Sequence, residues 1–97
     1  MEYNVIISPY ALNEIEEITD FYNSINILVL IKFTDILNES IKSLSYNPHF
    51  YIKYKTYRSL PLKRFPFILI FDIDENCKEV KILSCFHTSQ NPNKYPI

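Results

Sequence analysis

Residues 57–74 read YRSLPLKRFPFILIFDID, and this stretch decides the fold class of the chain. Its second half alternates, and the apolar residues at every second position share one face: Phe65, Phe67, Leu69, Phe71 and Ile73. We therefore predict a β-strand over residues 65–74. Because one of its faces is continuously apolar, the strand requires a layer of helices or a second sheet to cover it.

The residues that precede this stretch supply that cover. Residues 3–8 alternate and end at Ser8-Pro9, which predicts a short strand. Ser8 suits the N-cap and Pro9 the first position of a following helix. The apolar face predicted for this helix consists of Leu12, Ile15, Ile18, Tyr22 and Ile25. Its opposite face is acidic, with Glu14, Glu16, Glu17 and Asp20, and we interpret that face as solvated.

A second helix is predicted from Leu28 to Leu44, after a break at residues 24–26. Its apolar positions again recur at helical spacing: Leu30, Phe33, Leu37, Ile41 and Leu44. Two amphipathic helices with so short a connection predict a helical hairpin. Asn47-Pro48 ends the second helix, because the residue before proline avoids helical geometry.

Two more strands are predicted on either side of residues 65–74, one at residues 52–60 and one at residues 79–87. Asp74-Glu75-Asn76 is the predicted turn before the last strand, with Asn76 at positive φ. The fold class is therefore α+β, a two-layer β-α-α-β-β-β sandwich. We expect an antiparallel sheet covered on one face by the helical hairpin, in a single domain over residues 1–97.

Composition excludes several classes of function. The chain contains no glycine, which rules out the P-loop, the dinucleotide-binding fingerprint and the nucleophile elbow. Two cysteines and two histidines without ligand spacing indicate neither a disulfide framework nor a metal site, so we predict no cofactor. No signal peptide is apparent and the apolar runs are too short to span a bilayer. We expect a cytoplasmic protein with no membrane partner.

The charge is distributed unevenly between the two halves. Residues 1–48 hold seven acidic and two basic side chains, a net charge of −5, whereas residues 49–97 hold eight basic and four acidic, a net charge of +4. Five of the bases fall between Lys53 and Arg64 without an acid among them. This segment is suited to a phosphate backbone or an acidic partner, although a solvated basic edge has the same composition.

A few side chains are candidates for work on RNA or for binding a nucleic-acid enzyme: Arg58, Lys63, Arg64, His87 and Tyr95. Cleavage of RNA through its 2′-hydroxyl requires a proton acceptor, a proton donor and cations that stabilise the charged phosphorane, and these residue types suffice without metal. The pattern itself is not specific. His87 also suits the end of the last strand, and Tyr95 also suits packing of the tail.

The order of elements and three stretches of sequence resemble the RelE/ParE toxin superfamily: residues 3–26 (YNVIISPYALNEIEEITDFYNSIN), 58–67 (RSLPLKRFPF) and 86–92 (FHTSQNP). These proteins are the toxins of bacterial type II toxin–antitoxin systems. The resemblance implies a sheet with the predicted strands in the order first, last, third, second. It also implies a cognate antitoxin that covers the working surface of the toxin in a hetero-oligomer.

The superfamily divides by target. Members of the RelE branch cut messenger RNA in the ribosome and usually carry an arginine in the strand where this chain has Ile68. Their basic character also contrasts with the net charge of −1 of this chain. The phrase LPLKRFPF resembles the ParE branch, whose members bind DNA gyrase and are not nucleases.

The resemblance to the ParE branch implies that Arg58, Lys63, Arg64 and His87 contact the target. Two alternatives stay open. In a RelE-like nuclease, Arg58, Arg64, His87 and Tyr95 would be catalytic. An inactive member would bind its antitoxin and little else.

Ile68 and Ile70 point away from the face that the helices cover, so we expect them to be exposed and to bind the antitoxin. A toxin with such an uncovered apolar surface is expected to behave poorly when purified alone.

Overall fold

The computed structural model describes residues 2–51 and 53–88. Its elements follow in the order β1 (Asn4–Ile7), α1 (Pro9–Ile25), α2 (Ile27–Tyr46), a 3-10 turn (Pro48–Phe50), β2 (Lys53–Tyr54), β3 (Tyr57–Pro61), β4 (Phe67–Asp74) and β5 (Glu79–His87). The strands form one sheet in the order β1-β5-β4-β3-β2. The predicted α+β class and helical hairpin are confirmed.

The sheet is mixed, which corrects the prediction that it is antiparallel. β1 runs parallel to β5, with Val5 opposite Val80, while the other neighbouring strands are antiparallel. The parallel pair arises because two helices separate β1 from the rest of the sheet and return the chain to the end at which β1 began. Such a connection of helical length is what parallel neighbours require.

The predicted strand over residues 52–60 is wrong, because the structure divides this segment into β2 and β3. A two-residue turn of Lys55 and Thr56 separates them, and Tyr54 pairs with Tyr57 across the turn. Lys55 has a φ of 56°, in the left-handed region. Hairpin turns of this kind usually carry glycine or asparagine, and Lys55-Thr56 has neither, so no local pattern indicated a turn here.

The turn before β5 also differs from its prediction. It runs over residues 75–78, and Lys78, not Asn76, has a positive φ, of 54°. The Asp74 carboxylate accepts hydrogen bonds from the backbone N–H groups of Asn76 and Cys77, at 3.0 and 3.2 Å. These hydrogen bonds stabilise the first part of the turn without a positive φ, and the left-handed residue, Lys78, lies at the end of the turn.

Each helix begins at the kind of residue that favours a helix start. The hydroxyl of Ser8 accepts a hydrogen bond from the Ala11 N–H, as predicted for the N-cap, and Pro9 occupies the first turn. Asn26 is the only residue between the helices, and its side chain caps α2 by accepting from the Leu28 N–H at 2.8 Å. The predicted break at residues 24–26 is thus one residue long.

The core lies between the hairpin and the sheet. On α1 it is formed by Ala11 and Ile15, with Ile18 and Tyr22 half-buried. Leu12 and Ile25 do not belong to it, which corrects their prediction, because they are 45% and 60% exposed. Leu12 lies about 100° around the helix from Ala11, which moves it off the buried face. The predicted core positions of α2 and β4 all lie in or against this cluster except Leu30, which is half-buried.

The opposite face of β4 is not uncovered, which corrects our expectation for Ile68 and Ile70. These two side chains are 8% and 2% exposed. They form a second, small apolar cluster with buried Phe86 on β5, against which Tyr57 on β3 packs. Side chains of the neighbouring strands therefore contribute to the cover that the helices do not provide on this face.

Candidate functional site

Lys63 and Arg64 lie exposed in the turn between β3 and β4. The Leu62 N–H donates to the Phe67 carbonyl at 2.9 Å and closes the turn, and Arg64 adopts a left-handed φ of 66°. The two phenylalanines beside Pro66 point back to the core. Phe65 and Phe67 meet the Phe33 ring with centroids 5.2 and 5.9 Å away, both edge-on. This aromatic anchor holds the turn against α2 while its two bases project into solvent.

His87 ends β5 at the same end of the sheet. It pairs with Phe67, and the two rings meet edge-on with centroids 5.0 Å apart. One residue further on, the Thr88 N–H donates to the Pro66 carbonyl at 2.8 Å, which joins the end of β5 to the turn. The structure therefore places three of the predicted residues, Lys63, Arg64 and His87, at the same end of the sheet. We call them the basic turn end.

A shallow cavity of about 130 Å³ adjoins His87. Its other lining residues come from α1, β4 and β5: Glu14, Glu17, Ile18, Phe67 and Cys85. The histidine thus separates the exposed bases of the turn from two carboxylates of the first helix. This boundary between opposite charges was not apparent from the sequence, because α1 and His87 are far apart in the chain.

Arg58 does not join the basic turn end. It lies on β3 opposite Phe71, four positions along β4 from Phe67, and four residues of strand span about 13 Å. Its side chain shares the helix-covered face with Leu60. There one guanidinium nitrogen, Nη1, donates to the Tyr51 carbonyl at 2.9 Å and to the His49 carbonyl at 3.4 Å. Arg58 therefore ties the segment after α2 to the sheet.

Tyr95, the remaining predicted residue, lies outside the residues that the structure describes. Within residues 2–51 and 53–88, no three His, Cys, Asp or Glu side chains are grouped so as to hold a metal ion. Over the same residues, neither helix combines the length and the apolar character needed to cross a membrane.

Glu14 has a structural role that its place on the acidic face of α1 did not indicate. Its Oε1 atom accepts hydrogen bonds from the Ser84 hydroxyl at 2.7 Å and from the Cys85 N–H at 2.9 Å. β1 pairs with β5 only as far as Ile82, and no strand within residues 2–51 and 53–88 continues that edge beyond it. Glu14 accepts the Cys85 N–H hydrogen bond there, as a neighbouring strand would. Our interpretation of the whole acidic face as solvated is thus wrong at this residue.

A second polar cluster lies at the opposite end of the sheet from the basic turn end. The Glu75 carboxylate contacts His49 Nε2 at 2.7 Å and accepts from the Tyr3 hydroxyl at 3.1 Å, while Lys78 Nζ lies 3.5 Å away. Partial burial alone would raise the pKa of Glu75, but hydrogen bonds from His49 and Tyr3 and the positive charge of Lys78 lower it. No local sequence pattern indicates this cluster, because its members are distant in the chain.

Comparisons with known proteins define the class of this chain. A family described as the ParE toxin of the type II toxin–antitoxin system, parDE, matches residues 5–92. The chain therefore belongs to the ParE toxin family. No curated protein sequence matches it.

Two solved structures share the fold. One is a chromosomal ParDE toxin–antitoxin system from P. aeruginosa, with a TM-score of 0.74 and 22% sequence identity over 89% of this chain and 96% of that one. The other is the RelBE2 toxin–antitoxin complex from Mycobacterium tuberculosis, with a TM-score of 0.59 and 17% identity over 90% of this chain and 99% of that one. These likenesses show that the chain shares the fold of both proteins.

Proposed function

We propose that this ParE-family toxin inhibits growth by binding DNA gyrase, without cutting nucleic acid, and that a cognate antitoxin neutralises it. The observation that carries the proposal is the separation of Arg58 from the basic turn end. A nuclease site needs its cations and its proton donor within hydrogen-bond reach of one phosphate. Arg58 lies about 13 Å along the sheet from the position of His87, and its guanidinium binds backbone carbonyls.

The packing of Ile68 on β4 also supports binding without cleavage. Ile68, which stands where the nuclease branch usually has an arginine, is 8% exposed and packs in an apolar cluster. An arginine at this place would bring a charge beside Ile70 and Phe86. His87 lies on the other, helix-covered face of the sheet, where its ring contacts Phe67 and where Glu14 and Glu17 line the adjoining cavity. A buried isoleucine at this position cannot supply the cation that stabilises the charged phosphorane in a nuclease.

Within this proposal, Lys63, Arg64 and His87 contact the target. Because Lys63 and Arg64 are exposed, truncating them removes a contact and leaves the fold intact. Contact of Arg58 with the target stays a prediction. Contact of the antitoxin with Ile68 and Ile70 also stays a prediction, and it now requires a segment that packs over Tyr57, the half-buried neighbour of this cluster.

Both structural relatives come from toxin–antitoxin systems, which supports an antitoxin partner for this chain. The proposal is tested by inducing the toxin in bacteria without antitoxin and following DNA, RNA and protein synthesis separately by pulse labelling. We expect DNA synthesis to stop first. Early arrest of translation with cleaved messenger would instead favour the nuclease, and no arrest with retained antitoxin binding would favour an inactive member.

A second experiment tests the basic turn end directly, by measuring inhibition of supercoiling by purified gyrase. We expect Arg64→Ala and Lys63→Ala each to raise the toxin concentration needed for half-inhibition about five- to tenfold, equivalent to roughly 1 kcal/mol of binding free energy. Lys81→Ala is the matched control, because Lys81 is an exposed base on β5 near the opposite end of the sheet. Equal effects of all three changes would rule out this surface as the contact.

A further inference from the structure

The tip of the helical hairpin exposes an apolar surface that the proposed function does not use. We call it the apex and define it by five side chains that are each at least half exposed: Phe21 59%, Ile25 60%, Ile27 54%, Leu28 66% and Ile31 50%. Residues 21–31 contain no charged side chain. Isolated exposed apolar residues are common on protein surfaces, but five within one hairpin tip form a concentration that usually marks an interface.

The apex is not part of the core that holds the hairpin to the sheet. Tyr22 and Phe33 point inward, with ring centroids 5.4 Å apart, and belong to the aromatic anchor under the β3–β4 turn. Phe21 and Ile25 are one helical turn apart on α1, and Ile27 and Ile31 are one turn apart on α2. Both helix ends therefore present an apolar stripe beyond their buried face.

Opposite charges flank the apex, one on each helix. Asp20 on α1 is the last charged residue before it, and Lys32 on α2 is the first after it. Both side chains are exposed, and neither takes part in an ion pair within the described part of the chain. Lys32 follows Leu28 by one helical turn, and Asp20 directly precedes Phe21, so each charge borders the apolar surface.

We propose that the apex binds the apex of a second copy of this chain. We place α1 of one copy beside α2 of the other across a two-fold axis, because this pairing sets the opposite charges against each other and the symmetry repeats it. Asp20 of each copy then lies near Lys32 of the other copy, and the uncharged residues between them are buried. The same arrangement leaves the basic turn end, beyond the aromatic anchor, open to a target.

The experiment is analytical ultracentrifugation of the purified toxin over a range of concentrations. The wild-type chain is expected to dimerise, and Leu28→Glu is expected to weaken the dimer at least tenfold by burying a charge in the apex. Tyr46→Glu is the matched control: Tyr46 is 58% exposed at the other end of α2, so the change should leave the dimer intact. Circular dichroism of each variant checks that the helices are retained.

A charge exchange tests the two-fold geometry itself. Lys32→Asp is expected to weaken the dimer, because it sets Asp20 against a like charge, and adding Asp20→Lys is expected to restore it. A monomer at all concentrations, a dimer indifferent to Leu28→Glu, or a double variant no better than the single one would each overturn the proposal. Loss of antitoxin binding by Leu28→Glu in a monomeric toxin would assign the apex to the antitoxin instead. None of these outcomes depends on which target the toxin inhibits.

Discussion

The two cysteines of this chain differ in both burial and charge. Cys85 is 2% exposed beneath α1, and burial, with the Glu14 carboxylate nearby, raises the pKa of its thiol to about 12. Cys77 is exposed in the β4–β5 turn, where the carboxylate of Asp74 is the main cause of a raised thiol pKa. Because the thiolate is the reactive form, neither cysteine is a ready nucleophile at neutral pH.

Asp74→Asn is expected to speed alkylation of Cys77 by iodoacetamide at pH 8. The change removes the charge that raises the pKa of this thiol, while the amide oxygen can still accept the two turn hydrogen bonds. Mass spectrometry of the alkylated peptides measures the rate at each cysteine. Cys85 serves as the internal control and should stay unmodified in the folded protein. An unchanged rate at Cys77 would show that Asp74 does not control its ionisation.

Arg58→Met is expected to lower the free energy of unfolding by about 1.5–3 kcal/mol, because the guanidinium no longer donates to the two carbonyls after α2. Lys63→Met is the matched control on the exposed turn and should change the free energy of unfolding by less than about 0.5 kcal/mol. Urea unfolding measures both. If Arg58→Met abolishes growth inhibition at unchanged stability, Arg58 contacts the target as the sequence predicts.

Within the described part of the chain, β1 pairs with only the first half of β5, and side chains complete that edge of the strand. Ser8 donates its N–H to the Ile82 carbonyl and its hydroxyl to the Leu83 carbonyl, and Glu14 accepts from Ser84 and Cys85. The register of β5 against β4 also shifts between Ile70 and Phe71, which leaves Leu83 as an extra residue. An irregular strand edge of this kind needs specific partners for its polar backbone groups.

Glu14→Ala is expected to cost about 1–3 kcal/mol of stability, because it leaves the Cys85 N–H and the Ser84 hydroxyl without their acceptor. Glu14→Gln should cost less, since its amide oxygen can take the same place. Glu17→Ala, on the exposed side of α1, is the control. Urea unfolding at pH 7 provides the comparison, and equal costs for the alanine and glutamine variants would contradict the assignment of these hydrogen bonds.

These elements show how far sequence reasoning reaches. The helices were predicted within a few residues because Phe33, Leu37 and Leu44 repeat at helical spacing, and β5 was predicted within its observed bounds. The β2–β3 turn was missed because Lys55 carries no turn signal. Glu14 was misread for a different reason. Its partners lie 70 and 71 residues away, and no local pattern encodes contacts of that range.

For the candidate site, the residue types were predictable and the arrangement only partly so. The strand order implied by the resemblance places the last strand beside the third, which brings His87 to the turn that holds Arg64. Arg58 precedes Arg64 by only six residues, yet it lies at the start of β3, away from the turn that holds Arg64. Closeness in sequence was a poor guide here because an extended strand separates its residues faster than any other element.

Across the whole molecule, three distant parts of the chain meet at Glu75. Tyr3 precedes β1, His49 lies in the 3-10 turn, and Glu75 begins the β4–β5 turn. The lowered pKa of this carboxyl means that the native state favours its charged form. Its contribution to stability is therefore fully present above the ordinary carboxyl pKa of 4.5 and is lost as the pH falls through the lower folded value.

Glu75→Gln is expected to reduce stability at pH 7 and to have a progressively smaller effect below pH 4.5, where protonation removes the same charge from the wild-type chain. Urea unfolding of both proteins between pH 3 and pH 7, the range that brackets carboxyl titration, measures the difference. Glu79→Gln is a control on the neighbouring strand. A difference between wild type and Glu75→Gln that does not shrink as the pH falls would rule out ionisation of Glu75 as its source.

The left-handed turn residues of this glycine-free chain have a consequence for its evolution and engineering. Lys55, Arg64 and Lys78 each hold a conformation that costs a side-chain-bearing residue roughly 1 kcal/mol or more, and glycine would relieve that cost. At Arg64, however, the same change would remove a base from the proposed contact surface. A change at Arg64 that raises thermal stability should therefore weaken growth inhibition. A screen for stability alone would select toxins that inhibit growth less.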